Sequence, residues 1–301
     1  MLKKISAIIP TKNRPEDLLR GLISICEQSR IPDQLVIVDQ SDTDKTKKLI
    51  HSFMNQYKNI HLKYIYDPKI LGLVDAKRVS VIHATGDILC FLEDDVILEH
   101  DYFHEIEVGF LKNNKMIGCC GVITNPPKTS FLYKLIFKIF HCGIFKDPRI
   151  DAIDKSTRTS EVFIPSEMLS GGISAWRRSV FDYISFDVAN GFHMFEDIDF
   201  SSRVARHYSN RLFINSNARL AHYCSPINRD LLGVRERRKI RECFTYYKKR
   251  KDWPNALISF YWLLLGMLLE AIFQSFSCLS FKPIQGYMLG LRDGYTKKII
   301  S

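Results

Sequence analysis

The chain has 301 residues, enough for one large domain or two ordinary ones with a sizeable core. Hydrophobic residues make up 46% and charged residues 25%, which is typical of a globular protein. The net charge of +10 is uneven, because residues 228–251 hold ten Lys and Arg against three acids. Nucleic acid is one possible partner for such a patch, but the apolar segment after it favours another, and we expect no nucleic-acid binding.

Eight scattered cysteines include one adjacent pair and no CxxC. We therefore expect reduced, buried thiols in a cytosolic protein rather than a disulfide or zinc framework. The first apolar run, Ile5–Ile9, is shorter than a signal-peptide core and stops at Pro10. The sequence therefore predicts no secretion signal.

Short apolar strands alternate with amphipathic helices over the first 123 residues. We predict strands at 5–9, 35–38, 60–65, 88–92 and 116–123, and helices at 14–27, 45–57, 73–84 and 100–111. Such alternation indicates an α/β fold with a parallel sheet and right-handed crossovers.

The pattern changes after Asn125. Ser130–Phe145 is predicted to be an amphipathic helix with a basic edge formed by Lys134 and Lys138. This helix could face the protein core or a membrane, and the pattern leaves both open. Further along, we predict a polar loop at 146–161, a helix at 196–207 and extended segments at 212–214 and 219–222.

The segment Pro254–Phe281 contains a single charged residue, Glu270. Its length would reach across a bilayer, although the central acid weakens a spanning assignment. The alternative is a buried helical hairpin. The basic block directly before the segment is what an anionic cytoplasmic leaflet would attract, so we predict membrane association.

The most informative stretch is the buried-strand candidate Ile88–Leu92, which ends in Glu93, Asp94 and Asp95. In open α/β sheets, ligands bind just beyond the carboxyl ends of the strands. Adjacent carboxylates repel one another unless a cation lies between them. A hard divalent ion that bridges to phosphates fits this position.

Several motifs of nucleotide-binding and hydrolytic enzymes are absent from the sequence. No GxGxxG, GxxxxGK[ST] or GxSxG occurs. Dinucleotide-dependent dehydrogenases, P-loop enzymes and α/β-hydrolases are therefore disfavoured.

Other polar residues have two interpretations each. Asp39, after the second strand, could bind a base or ribose, or could cap the next helix, where Asp42 is the better cap candidate. Lys77 and Arg78 could reach a diphosphate or could lie on a solvated helix face.

Glu196 and Asp197 are predicted at a helix start, where carboxylates act as caps or, when adjacent, can raise one another's pKa as a general base requires. Asp199 and Arg203 are spaced as a structural i,i+4 pair. His222, which ends a short strand, is either structural or a metal ligand.

Taken in order, the motifs PTKNR, VDQSD, GLVDAKR, GDILCFLEDD, SGGISAWRR, FEDIDFSSR and AHYCSP resemble a family 2 glycosyltransferase over residues 4–224. The resemblance implies the GT-A fold, a Rossmann-like and mostly parallel sheet flanked by helices. It also implies a nucleotide-sugar donor, with UDP- or dTDP-sugars expected, a divalent cation (Mg²⁺ or Mn²⁺), and sugar transfer with inversion.

The resemblance also implies roles for individual residues. On the donor side these are Pro10, Thr11 and Asn13 around the nucleoside, Asp39 on the base, Asp94 on the ribose or sugar, and Gly171 and Gly172 near the sugar. Lys77 stands where the family usually has Arg, and Arg78 could compensate for the lost bidentate fork. The implied metal ligands are Glu93, Asp95 and His222, and the implied base is Asp197, beside Glu196.

We predict three regions: a nucleotide-sugar-binding part at 1–125, an acceptor-side catalytic part of the same domain at 126–227, and a helical membrane-associating extension at 228–301. The last region resembles members that build bacterial surface polysaccharides on lipid carriers. That implies a saccharide or lipid-linked acceptor and a place at the cytoplasmic face of the membrane.

Two other functions compete with sugar transfer. A non-catalytic protein that binds membrane surfaces or nucleic acid through its basic block would not need the acidic motifs. A nucleotidyltransferase of similar fold would favour a Gly-rich basic loop after the first strand, and Thr11–Pro15 contains no glycine.

Overall fold

The computed structural model describes residues 3–57, 60–127, 130–156, 158–189, 195–227 and 229–296, without the side chains of Leu132 and Ser156. The chain divides into two compact units. The first unit comprises Met1–Pro126 and Pro148–Asn228, and the second comprises Pro127–Asp147 and Arg229–Ser301. The segment 127–147 thus groups with the C-terminal residues rather than with the predicted acceptor-side region.

The described residues of the first unit form one nine-stranded mixed sheet. Its strands are β1 (Ile5–Thr11), β2 (Gln34–Asp39), β3 (Leu62–Tyr66), β4 (Ile88–Phe91), β5 (Val96–Leu98), β6 (Gly118–Ile123), β7 (Phe163–Ser166), β8 (Ser174–Arg177) and β9 (Leu212–His222). They lie in the order β3-β2-β1-β4-β8-β6-β9-β5, with β7 also paired to β9. Strands β1 to β4 pair in parallel, as predicted, whereas β8 is antiparallel to both β4 and β6.

Helices flank this sheet and make up most of the second unit. Those of the first unit are α1 (Pro15–Cys26), α2 (Lys45–Gln56), α3 (Gly72–His83), α4 (Tyr102–Lys112), α6 (Arg149–Ser156) and α7 (Glu196–His207). Those of the second unit are α5 (Phe131–Phe140), α8 (Leu232–Arg250), α9 (Ala256–Ser277) and α10 (Lys282–Tyr295).

The three central parallel strands are buried along their whole length. Every residue of β1, β2 and β4 is buried, which explains their continuous apolar sequences. Apart from Ser6 and Gln34, which hydrogen-bond each other near the start of β1 and β2, the polar residues of these strands lie at their ends, at Thr11 and Asp39, and Glu93 lies two residues after β4. Several buried polar groups therefore lie at the carboxyl edge of the parallel strands.

The structure corrects three predicted elements. The predicted loop at 146–161 contains α6, a short helix of mostly polar sequence. The two predicted extended segments are one strand, β9, whose polar centre hides it from pattern recognition. That centre is satisfied internally, since Asn215 Nδ2 donates to Glu105 O at 2.9 Å. The predicted helix Ser130–Phe145 ends at Phe140 and is followed by a 3₁₀ turn.

Among the described helices, α9 is the one long and apolar enough to cross a membrane. It has 22 residues and a mean hydropathy of 2.0 over its most apolar stretch, half of which is buried. The eight cysteines are all free. Cys90, Cys119, Cys120 and Cys243 are buried, as predicted, but Cys26 and Cys142 are only partly buried and Cys224 and Cys278 are exposed, so the prediction of buried thiols is wrong for these.

Candidate active site

The sheet itself brings His222 to the acidic triplet. Strand β4 ends at Phe91, β5 begins at Val96, and the triplet occupies the connection between them. In the antiparallel ladder between β5 and β9, Val96 lies opposite His222. The next backbone contact, from Tyr223 N to Asp95 O at 2.9 Å, extends this ladder into the triplet. Val96 and His222, 126 positions apart in the chain, are thus neighbours by strand register.

Glu93, Asp95 and His222 form a compact cluster of metal-ligand type. His222 Nε2 lies 2.8 Å from Glu93 Oε2 and 3.1 Å from Asp95 Oδ1, and the three ligand atoms are all within 4.8 Å of one another. Asp95 Oδ2 accepts a hydrogen bond from Ser225 N at 2.7 Å, and the buried Oδ1 faces His222 Nε2. This set of two carboxylates and one imidazole, in which Asp95 Oδ1 has a lone pair available for a cation, fits Mg²⁺ or Mn²⁺.

Without a bound cation, a protonated His222 offsets one of the two carboxylate charges of this cluster. Hydrogen bonds to Asp95 and Glu93 raise the pKa of His222 to about 10, so that the imidazolium faces two carboxylates. Burial opposes the ionisation of Asp95, but hydrogen bonds from His222 and the Ser225 N–H outweigh it and lower its pKa to about 2. Asp95 is therefore a carboxylate at every pH at which the protein would work.

Arg14, which the sequence analysis did not single out, holds the middle acid of the triplet. Its Nη1 lies 2.9 Å from Asp94 Oδ1 and 3.7 Å from Asp95 Oδ2, while Nε and Nη2 both donate to Ile227 O. Thr11 Oγ1 donates to Asp94 Oδ2 at 2.7 Å. Burial nevertheless raises the pKa of Asp94 to about 6, against the effects of Arg14 and Thr11. The position of Arg14 in the PTKNR motif was the signal that could have identified it.

The predicted nucleoside residues lie together at the ends of β1 and β2. Pro10 pairs with Val38, and Thr11 with Asp39. Asp39 is fully buried, and its carboxylate accepts hydrogen bonds from Tyr64 Oη at 2.6 Å and from Ser41 N at 2.8 Å.

Asn13 and Asp42 link the loops that follow these two strands. Asn13 has a left-handed backbone (φ 56°), its Nδ2 donates to Asp42 Oδ2 at 2.7 Å, and Asp42 N donates back to Asn13 Oδ1 at 2.9 Å. The N-cap of α2 is Asp44, so the expectation that Asp42 or Asp39 caps this helix is wrong. The reciprocal pair with Asn13 occupies the Asp42 side chain instead.

Lys77 and Arg78 point to different surroundings. The Lys77 side chain is only 2% exposed, and its Nζ donates to Glu196 Oε1 at 2.6 Å and to Gly171 O at 2.9 Å. Arg78 is half-exposed and pairs with Asp75 in the same helix. Lys77 is therefore buried rather than solvated, and its ammonium group forms an ion pair with the Glu196 carboxylate.

Gly171 and Gly172 separate two groups of carboxylates. A Cβ on Gly171 would overlap the Glu196 side chain, and one on Gly172 would overlap that of Glu93. Gly172 O accepts a hydrogen bond from Glu93 N at 2.8 Å. The metal-type cluster and the Glu196–Asp197 pair thus lie on two sides of one dipeptide, which only glycine allows at this distance.

Glu196 and Asp197 have different environments at the start of α7. Glu196 Oε2 is buried without a hydrogen-bond partner, and burial raises the pKa of Glu196 despite the neighbouring Lys77. Asp197 Oδ2 pairs with Arg149 Nη1 at 2.5 Å, and its Oδ1 accepts from Ile198 N. Neither acid is the N-cap, which is Phe195. Arg149 was missed because α6 was predicted to be a loop.

The other predicted polar contact in α7 is confirmed. Arg203 Nε and Nη2 lie 3.0 and 2.9 Å from Asp199 Oδ2. Asp199 is thereby a structural residue of the helix, which leaves Glu196 and Asp197 as the acids that face the glycine dipeptide.

Comparisons with known proteins place the chain among glycosyltransferases. The model of the family described as glycosyl transferase family 2 matches residues 6–185. An uncharacterized glycosyltransferase of Haemophilus influenzae is 27% identical over 117 residues, which cover 39% of this chain and 46% of that protein. The O-antigen chain rhamnosyltransferase RfbN of Salmonella typhimurium is 25% identical over 183 residues, 60% of this chain and 55% of RfbN. The chain thus spans about half the length of these curated relatives.

Among solved structures, the chain is similar to the mannosyltransferase PcManGT from Pyrobaculum calidifontis, in complex with GDP-Man and Mn²⁺. The TM-score is 0.63 at 13% identity, over 99% of this chain and 88% of the other. At this identity the similarity concerns the fold, and it confirms the predicted GT-A fold.

Proposed function

This chain belongs to glycosyl transferase family 2, and from that membership we propose that it moves a sugar from a nucleotide-sugar donor to a hydroxyl group of a saccharide or lipid-linked saccharide. The proposal depends on one observation: two sets of acidic residues, the triplet that begins at Glu93 and the pair Glu196–Asp197, lie on the two sides of the Gly171–Gly172 dipeptide. One group, with His222, has the ligands that a diphosphate-binding cation needs. The other, Glu196–Asp197, offers a base for the acceptor hydroxyl.

Glu93, Asp95 and His222 would hold Mg²⁺ or Mn²⁺, which when bound supplies positive charge to the leaving diphosphate. The remaining contacts keep these ligands in place. Ser225 N fixes one oxygen of Asp95, and Gly172 O fixes the backbone of Glu93. Arg14 and Thr11 orient Asp94, which would contact the ribose or the sugar.

The nucleoside would bind at the ends of β1 and β2, among Pro10, Thr11, Asn13 and Asp39. Tyr64 and Ser41 N hold the Asp39 carboxylate in one orientation, which suits recognition of a base N–H. As the family resemblance implies, we propose UDP- or dTDP-sugars as the donors.

Inversion requires that the acceptor hydroxyl attack from the face opposite the leaving group, with a carboxylate to take its proton. Asp197 would be that base. Its Oδ2 pairs with Arg149 Nη1, and the hydrogen bond from Ile198 N leaves the second lone pair of Oδ1 to receive a proton. Next to Asp197, Lys77 Nζ donates to both Glu196 Oε1 and Gly171 O and so holds these two residues together.

The apolar helix α9 and the basic α8 support a location at the cytoplasmic face of a membrane, where nucleotide sugars are made and a lipid-linked acceptor would be held.

A donor-hydrolysis screen with Mn²⁺ across nucleotide sugars tests the proposal. We expect one sugar nucleotide to release its nucleoside diphosphate, and addition of a chelator to stop the release. A nucleotidyltransferase would instead release pyrophosphate when supplied with a nucleoside triphosphate and a sugar 1-phosphate. Absence of turnover with every donor, together with unchanged membrane binding when the acids are neutralised, would favour the non-catalytic alternative.

A further inference from the structure

One face of α9 is apolar and exposed along the whole helix. Large apolar side chains recur every three or four residues on this face and are 40–78% exposed; they include Ile258, Trp262, Leu265, Leu269, Phe273 and Phe276. Scattered exposed apolar residues are ordinary, but a continuous stripe of this length indicates a surface that meets another apolar phase.

The opposite face of α9 packs inside the second unit and contains its one charge. Glu270 Oε2 pairs with Lys239 Nζ of α8 at 2.5 Å, and Gln274 Nε2 donates to Glu270 Oε1 at 3.1 Å. The helix is therefore tied to α8, which carries eight Lys and Arg residues in nineteen. If α9 crossed the hydrocarbon core, α8 would have to follow with charges that each cost several kcal/mol there.

Helix α5 extends the same surface. Trp262 Nε1 donates to Ile139 O at 2.9 Å, and the rings of Trp262 and Phe140 are 4.9 Å apart. Phe131, Leu135 and Ile139 are exposed and follow one another at i, i+4 and i+8. The exposed stripes of α5 and α9 therefore meet at Ile139 and Trp262.

Charge beside this surface identifies the partner. Lys134 and Lys138 are exposed on α5, which contains no acidic residue. Long cationic side chains beside an apolar stripe can reach anionic headgroups while the stripe enters the acyl boundary. A second copy of this chain would instead bring further lysines against these.

The turn between α9 and α10 presents two of the most exposed apolar side chains of the unit. Leu279 is 95% exposed and Phe281 is 84% exposed, and Leu279 has a left-handed backbone (φ 49°). Lys282 follows directly. The turn thus repeats the combination of apolar side chains and a cation.

We propose that α9 lies in the plane of an anionic lipid surface, with α5 and the α9–α10 turn, and does not span the bilayer. This inference builds on the proposed function, because it specifies how the enzyme would reach a lipid-linked acceptor. Insertion of an apolar face together with basic residues is the two-part attachment that gives stable interfacial binding.

Binding is tested with the full chain and sealed vesicles, made of phosphatidylcholine alone or mixed with phosphatidylglycerol. We expect sedimentation with the mixed vesicles. Ile258→Asp combined with Phe276→Asp should weaken binding by at least about tenfold, because two inserted side chains are lost. Ile82→Asp, at a similarly exposed isoleucine of α3, is the matched control and should bind normally. Lys134→Glu with Lys138→Glu should remove the preference for phosphatidylglycerol.

Orientation is tested with a membrane-impermeant amine reagent added outside the vesicles. Lys251 precedes α9, Lys282 follows it, and both are exposed. An in-plane helix leaves both lysines open to labelling, as peptide mass spectrometry would show. Labelling of one of them only after the vesicles are lysed would mean that α9 spans and would overturn the proposal.

Two further outcomes would also overturn it: a full chain that is monodisperse without detergent and ignores both vesicles, or a soluble dimer that Ile258→Asp dissociates. Donor hydrolysis, measured separately in detergent, reports on the proposed function. A protein that hydrolyses donor without binding vesicles, or the reverse, shows which of the two proposals has failed.

Discussion

Lys77 and Glu196, 119 residues apart in the chain, form a buried ion pair between α3 and the start of α7 with Nζ 2.6 Å from Oε1. Lys77 Nζ also donates to Gly171 O, so one ammonium group fixes both the Glu196 carboxylate and the backbone of Gly171. Lys77 is therefore a positioning group for Glu196 and Gly171.

Replacing Lys77 by methionine should strongly destabilise the first unit. The change leaves a buried carboxylate unpaired, which costs on the order of 3–5 kcal/mol. Denaturant unfolding measures the loss. The double variant Lys77→Met with Glu196→Gln removes both charges and should recover most of it. A single variant as stable as the parent would show that the pair contributes nothing to the fold.

Replacing Asp197 by asparagine should leave donor binding intact while turnover falls by about 10²-fold or more, since the proton acceptor is lost and the shape is kept. Calorimetric titration with the donor and steady-state rates at saturation separate the two effects. Glu196→Gln is the matched change at the neighbouring acid. If Glu196→Gln abolished turnover and Asp197→Asn did not, Glu196 would be the base.

Replacing Asp95 by alanine should abolish sugar transfer, by about 10²-fold or more, because the charge of the leaving diphosphate is then uncompensated. His222→Ala should weaken Mn²⁺ binding while the fold is kept, as equilibrium dialysis and thermal unfolding would show. Glu99→Ala, at an exposed acid that pairs with Arg219, is the control and should change neither property. Full activity of the Asp95 variant, or of the parent in excess chelator, contradicts the metal site.

Replacing Glu236 by glutamine should stabilise the second unit at neutral pH. Burial raises the pKa of Glu236, and the nearby Glu270 carboxylate raises it further, although Lys239 and Arg235 act in the opposite direction. Glu236 Oε2 is also buried without a hydrogen-bond partner. A raised folded-state pKa gives stability below the unfolded value, which is lost as pH rises through the folded value.

The glutamine variant should therefore have a higher melting temperature than the parent at pH 7. Its free energy of unfolding should be larger by on the order of 1 kcal/mol. The difference should shrink as the pH falls towards the ordinary glutamate value of about 4.3. Melting curves across this range provide the measurement. A difference that grows on acidification would show that the ionised carboxylate is stabilising.

The sequence predicted those parts of the site that follow buried strands. The apolar runs of β1, β2 and β4 end at Thr11, Asp39 and Glu93, and each strand end is marked by the change from apolar to polar residues. Arg149 was not predictable in this way, because α6 is short and mostly polar in sequence. The ion pair between Lys77 and Glu196 was also hidden, since a lysine on a helix is usually solvated and only tertiary packing buries this one.

Strand β5 was missed for a related reason. Its three residues are too few for a pattern, and its pairing partner β9 is polar in the middle. The register between these two strands is nevertheless what brings His222 to Asp95, so the least visible elements of the sheet complete the candidate metal site.

That register limits where the chain can change length. A residue inserted within β9 before His222 would move its imidazole to the other side of the sheet, because side chains alternate along a strand. Insertions between α4 and β6 or between α6 and β7 would leave the pairing of Val96 with His222 unchanged. Natural or engineered variants of this protein should therefore differ in length in those connections and keep the spacing from Leu212 to His222 constant.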